Sequence, residues 1–237
     1  MEKNAFSDLK IYHKLAEKQH VTLEAFGSSN TQRRLPGMTW FDYVELGFKV
    51  KYGKGCGTFI NTGIGGDTTA MMLARFDRDV LAYKPDAVIV TAGGNDSNPV
   101  QNVSHDQYRA NLLEIHRRIT AYGGEVIFQT YYACRKELMV PGMAERMDRN
   151  MEIVREVAAE TGSHLQDHYL RWNRLRDRFP AVYALLMRDT MHVNADGNAI
   201  MGADLLRSFG LELPEEFARE CKCGFLGQSL LDVLAEN

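Results

Sequence analysis

Cysteine is scarce in this chain, with four residues in 237: Cys56, Cys134, Cys221 and Cys223. That is too few for a disulfide scaffold at this length. Cys221 and Cys223 form a C-x-C, but no second pair stands at a metal-site spacing, so free thiols rather than structural zinc are expected. An excess of either charge is also missing. Lys and Arg number 28 against 31 Asp and Glu, a net charge of −3. A sequence-independent nucleic-acid binder needs a basic face, so no nucleic-acid partner is expected. No apolar run approaches the ~18 residues that span a bilayer, and no membrane partner is expected. The opening Met1-Glu2-Lys3-Asn4 is not a charged-then-apolar leader, and a cytoplasmic location is expected. No Pro/Gly/Ser-rich linker, internal repeat or low-complexity tract divides the chain. One domain over residues 1–237 is therefore expected, with a helical tail from about residue 214.

The sequence does contain a regular alternation of strand-like and helix-like segments. Strands are expected at residues 21–26, 58–61, 87–90 and 126–128, with a weaker one at 164–167. Ala87-Val88-Ile89-Val90 is continuously apolar, as a strand covered on both faces is. Between them lie stripes at helical spacing. These are Leu9, Tyr12 and Ala16; Tyr43, Leu46 and Val50; Met72, Phe76, Val80 and Tyr83; and Tyr108, Leu112, Ile115 and Ile119. Met147, Met151, Val154 and Ala158 follow, and then Met201, Leu205 and Phe209. Such alternation predicts an α/β fold, a parallel sheet with helices on both faces and right-handed crossovers. In the tail, Leu226, Leu230 and Leu234 fall at i, i+4 and i+8, as a docked helix or an oligomer contact would place them.

Three polar, Gly-rich clusters each follow a strand: Gly27-Ser28-Ser29-Asn30-Thr31, Gly63-Ile64-Gly65-Gly66-Asp67-Thr68-Thr69 and Gly93-Gly94-Asn95-Asp96-Ser97-Asn98. In a parallel sheet all three emerge at the carboxyl edge, where open α/β sheets bind ligands. Thr68 and Thr69 open a helical stripe, whose free N–H groups suit an anion. The second cluster lacks the Gly-Lys-Ser/Thr of a phosphate loop, and residue 68 breaks G-x-G-x-x-G. An oxyanion is therefore the better candidate than a phosphate. Near the C-terminus stands Asp189-Thr190-Met191-His192. A carboxylate three residues before a histidine reaches its Nδ1–H if the turn is tight, which frees Nε2 to act as a base. Taken alone, the tetrapeptide reads rather as a turn aspartate before an exposed loop histidine.

Together these blocks resemble those of the SGNH hydrolases, also called GDSL esterases/lipases. Gly27 to Thr31 is similar to the family's Gly-Asp-Ser-x-Thr, which puts the nucleophile at Ser29. Asn61 to Thr69 resembles the second block, whose oxyanion glycine falls on Gly66. Gly93 to Asp96 matches Gly-x-Asn-Asp, with the side-chain oxyanion donor at Asn95, and Asp189 to His192 matches Asp-x-x-His. The blocks occur in family order over residues 27–192. The resemblance implies a three-layer α/β/α sandwich, flavodoxin-like, with a mainly parallel five-stranded sheet. It also implies a serine esterase with catalytic Ser29, Asp189 and His192, an oxyanion hole of Ser29, Gly66 and Asn95, and neither metal nor cofactor. One position departs from the pattern: Ser28 replaces the family's Asp. Its hydroxyl is expected to brace the loop through nearby backbone. Residue 31 is Thr, so the Gly-x-Ser-x-Gly elbow of α/β-hydrolases is absent at Ser29.

Other polar residues have structural expectations. Asp67 and Asp96 are expected to brace loops, Trp40 and Phe41 to pack in the core, and Arg171, Arg174 and Arg178 to form a solvated helix face. His164 and Asp167 would point to opposite faces of a strand, so no metal is expected at His164, Asp167 and His168. The leading functional expectation is an esterase on a small acyl ester, with an O-acetylated sugar preferred. The alternatives are a thioesterase or lysophospholipase, a catalytically silent carbohydrate-binding module, and a phosphate- or nucleotide-binding protein.

Overall fold

The computed structural model describes residues 5–34, 37–213 and 232–234. Helix α1 (Ile11–Ala16) precedes five strands: β1 (Val21–Gly27), β2 (Gly57–Asn61), β3 (Ala87–Thr91), β4 (Glu125–Gln129) and β5 (His164–Gln166). All are parallel, in the order β2-β1-β3-β4-β5. β3 is the centre of the sheet, and each of its residues is buried. Its unbroken apolar run is thus explained by cover on both sides.

The two-residue period of a strand divides the core in two. Leu23, Ala25, Ala87, Ile89 and Ile127 face one layer of helices. That layer comprises α2 (Trp40–Tyr52), α6 (His168–Arg178), α7 (Pro180–Leu186) and α8 (Ala195–Ser208), packing through Trp40, Phe48, Trp172 and Leu205. Phe26, Val88, Val90, Val126 and Phe128 face the other. There α3 (Thr69–Ala74), α4 (His105–Ala121) and α5 (Met143–Thr161) contribute Met72, Leu112 and Met151. The result is the three-layer α/β/α sandwich that the alternation and the family resemblance both predict.

Three stripes differ from expectation. In α1 the buried residues are Ile11 and Leu15; Tyr12 is half-buried, Ala16 is exposed, and Leu9, though buried, precedes the helix, because the short helix turns its β-branched and leucine side chains to the core. In α2 the buried residues include Trp40, Phe41, Val44 and Phe48; of the expected stripe Tyr43 is buried, but Leu46 is half-buried and Val50 exposed. The helix carries two apolar stripes, and docking against α8 and the sheet selects the bulkier one. The stripe from Met72 to Tyr83 is not a single helix. α3 ends at Ala74, and Asp77–Leu81 forms a π-helical turn. The wide turn shifts the helical phase, so Val80 stays buried while Tyr83 is exposed. The expected tail helix and the Cys221–Cys223 pair lie outside the described residues, apart from residues 232–234, where Leu234 is buried against the α2–α8 core.

Candidate active site

Just past β1 the chain turns sharply, with the Thr31 and Gln32 N–H groups both donating to the Ser28 carbonyl at 3.0 and 2.9 Å. The turn lifts Ser29 out at the carboxyl edge of the sheet. Its Oγ lies 2.8 Å from His192 Nε2. On the other side of the ring, His192 Nδ1 lies 2.8 and 3.0 Å from the two oxygens of Asp189. With Asp189 ionised, Nδ1–H donates to it, and Nε2 is left to accept the Ser29 hydroxyl proton. The three-residue spacing closes because Asp189 folds its own turn. Its Oδ1 accepts the Met191 and His192 N–H groups, each at 2.9 Å. Asn194 then caps α8 by accepting the Gly197 N–H at 3.0 Å.

The electrostatics keep this pair in its useful protonation states. Burial acts to raise the Asp189 pKa, but the Met191 N–H, the Arg188 guanidinium and His192 outweigh it and hold the carboxyl at about 2. Arg188 Nη2 donates to Asp189 Oδ2 at 2.8 Å. Burial pushes the His192 pKa below its usual value; Asp189 opposes the shift, while Arg34 and Arg188 add to it. The imidazole is therefore neutral at pH 7.

The second and third loops meet beside the serine. A Cβ on Gly65 would lie 3.7 Å from the Ser29 Cβ, so the Gly65–Gly66 segment runs along the Ser29 turn. Gly66 has φ +89°, a conformation that L side chains rarely adopt. Among the described residues neither the Ser29 nor the Gly66 N–H has an acceptor. Asn95 Nδ2 donates to the Asp67 carbonyl at 2.8 Å, next to Gly66, and the amide carries a second N–H. Asp96, fully buried, accepts from both the backbone N–H and the hydroxyl of Thr69, at 2.9 and 2.6 Å, and so ties the third loop to the start of α3. Arg75 braces the first two loops. It donates to the Gly27 carbonyl at 2.8 Å, the Thr62 carbonyl at 2.7 Å and Asp67 at 2.6 Å. A small cleft opens at Ser29 and His192. Asn30, Gln32, Arg34, Thr39 and Asn198 give it polar walls, and Met38 and Val193 its apolar part.

Residues 25–200 match the GDSL-like Lipase/Acylhydrolase family. The chain belongs to this family. An acetylxylan esterase of Geobacillus stearothermophilus is 30% identical over 179 residues, covering 72% of this acylhydrolase and 76% of that relative. The crystal structure of Axe2, an acetylxylan esterase from the same organism, superposes with a TM-score of 0.70 at 26% identity, over 81% of this chain and 95% of that one. Solved catalytic mutants of Axe2 replace a serine, an aspartate and a histidine with alanine. A second acetyl xylan esterase, AlAXEase, shares the fold at 20% identity, with a TM-score of 0.68 over 77% of this chain and 96% of its own. The acylhydrolase is a carboxylic ester hydrolase built on the GDSL fold.

The acylhydrolase departs from expectation at two polar positions. Ser28 does not bond to nearby backbone. Its Oγ is 2.8 Å from the hydroxyl of Tyr131, because the turn directs the side chain inward, where it is almost fully buried. Arg171 is not on a solvated face. Its guanidinium forms a buried two-pronged ion pair with Asp204, because α8 packs a carboxylate against that side of α6. Trp40 and Phe41 are core residues, each 1% exposed. His168 lies buried 3.1 Å from Asp204, His164 faces Asp8 at 3.4 Å, and Asp167 pairs with Arg155. These side chains are thus engaged in separate pairs. Arg75, Arg188, Tyr131 and Tyr132 carry the site's bracing and were not singled out from the sequence. For the tyrosines a signal existed: they lie just past β4, after Thr130, and so emerge at the same carboxyl edge.

Proposed function

We propose that the acylhydrolase removes acetyl groups from the hydroxyls of a short, xylan-like oligosaccharide. Ser29 attacks the ester carbonyl while His192 Nε2 takes its proton. Asp189 holds the imidazole in the Nδ1–H tautomer and stabilises the imidazolium. The Ser29 and Gly66 N–H groups and the Asn95 amide receive the negative charge of the tetrahedral intermediate. His192 returns the proton to the leaving sugar hydroxyl, and water, activated by the same base, then releases acetate from the acyl-serine.

The polar cleft at Ser29 and His192 carries this reading. Amide, hydroxyl and guanidinium walls suit a polyhydroxylated leaving group better than an acyl tail. The similarity to acetylxylan esterases points the same way. An activity panel tests it. Acetylated xylo-oligosaccharides should release acetate, and turnover of p-nitrophenyl esters should fall from acetate to longer acyl chains. Preference for an acyl-CoA or a long-chain ester would replace this reading with the thioesterase or lysophospholipase one. Sugar binding without turnover of any ester would make the protein a silent module.

Asn95→Ala provides a narrower check. The variant should fold and lose ~10²–10³ in kcat, the effect of removing one oxyanion donor. Unchanged kcat in a steady-state assay would remove Asn95 from the mechanism.

A further inference from the structure

Two tyrosines at the end of β4 reach every residue that flanks Ser29 and His192 in sequence. Tyr131 Oη lies 2.8 Å from Ser28 Oγ. Tyr132 Oη lies 2.7 Å from Asn30 Oδ1, is hydrogen-bonded to the Met191 carbonyl, and accepts the Val193 N–H at 2.9 Å. Asn30 Nδ2 closes the group by donating to the Met191 carbonyl at 3.2 Å. Ser28 and Asn30 bracket Ser29, and Met191 and Val193 bracket His192. We propose that Tyr131 and Tyr132 are positioning residues that together set the Ser29–His192 register.

The physical basis is burial. Tyr131 is 2% exposed and Tyr132 fully buried, so water does not compete for their hydroxyls. Burial also pushes the Tyr131 pKa up to about 12 and Tyr132 well above its usual value, so both remain protonated at neutral pH. Tyr132 leans on Trp172, with ring centroids 5.6 Å apart, which fixes its hydroxyl relative to α6. Tyr131 also supports the third loop. A Cβ on Gly94 would come within 2.7 Å of its ring, so glycine is what lets the segment before Asn95 rest there. At residue 28, where the family pattern has Asp, a neutral hydroxyl pair therefore does the bracing. The serine–histidine contact spans 163 residues of sequence, and no local structure sets its length. Placement errors of about 1 Å in such a contact can cost ~10²-fold in rate.

This inference rests on the Ser29–His192–Asp189 reading, and Ser29→Ala is run alongside to separate the two. Tyr132→Phe keeps the ring and removes the hydroxyl. Its kcat should fall by ~10²-fold with KM changed less than about threefold, and a phosphonate should label Ser29 more slowly by a similar factor. The assays are run well below each variant's Tm. Tyr131→Phe and Ser28→Ala should each cost roughly tenfold at most, and the double variant should lose no more than either single, because both remove one bond. Full additivity would overturn the role of Tyr131. Tyr132→Phe with kcat within about twofold of wild type, beside an inactive Ser29→Ala, would overturn the role of Tyr132. If Tyr132→Phe does not fold, the Ser28–Tyr131 cycle decides. An active Ser29→Ala would instead refute the triad reading itself.

Discussion

Ser29→Ala should fold normally and lose ~10³–10⁶ in turnover, down to the rate that oxyanion stabilisation and binding alone support. Two adjacent serines could attack, and their surroundings separate them. The Ser29 hydroxyl faces His192 Nε2 at 2.8 Å. The Ser28 hydroxyl is buried against Tyr131, away from any base. A phosphonate trap followed by peptide mass spectrometry should therefore label Ser29 and leave Ser28 unmodified. Labelling at Ser28, or an active Ser29→Ala beside a dead Ser28→Ala, would move the nucleophile by one residue. It would also contradict the hydrogen bonds of the first loop.

Asp189→Ala should lose on the order of 10⁴-fold in kcat through the wrong tautomer and a freely turning ring. The variant also removes the acceptor for the Met191 and His192 N–H groups, so the turn that presents His192 loosens. The pH profile provides an independent sign. In the wild type, His192 must be neutral to act, and burial has lowered its pKa. Activity should therefore persist below the ordinary histidine value of ~6.5 and fall only as pH drops through the lowered one. Asp189 is the group that raises this pKa against burial. Removing it should move the acid limb of the residual activity to still lower pH. A limb that moves upward, or a variant with near-full activity, would mean that another group orients the base.

Legibility in the sequence tracked the range of the interaction. The strands were readable because β3 is apolar at every position from Ala87 to Val90 and turn residues follow β1, β2 and β3. The Asp189–His192 pair was readable because both ends lie within one turn. The three glycine-rich loops were readable because parallel topology alone brings strand ends together. Arg171 was misread because its partner, Asp204, is 33 residues away on another helix. The stripe of α2 was misread because a helix with two apolar faces contains no local information about which one the sheet will cover. Tyr131 and Tyr132 look like ordinary strand-end aromatics until the loops they hold are folded over them.

The sequence by itself determined the α/β/α class, the strand ends on which the chemistry sits and the residue types present there. Helical and strand periods, capping residues and glycine turns act over a few residues, so they are written locally. Tertiary structure alone decided how closely Ser29 approaches the histidine, which buried partners hold Ser28 and Arg171, and how deeply His192 is desolvated. Those depend on contacts between segments far apart in sequence, from 33 residues for Arg171 with Asp204 to 163 for Ser29 with His192. Their distances come from packing the two cores, a property of the whole chain rather than of any stretch of it.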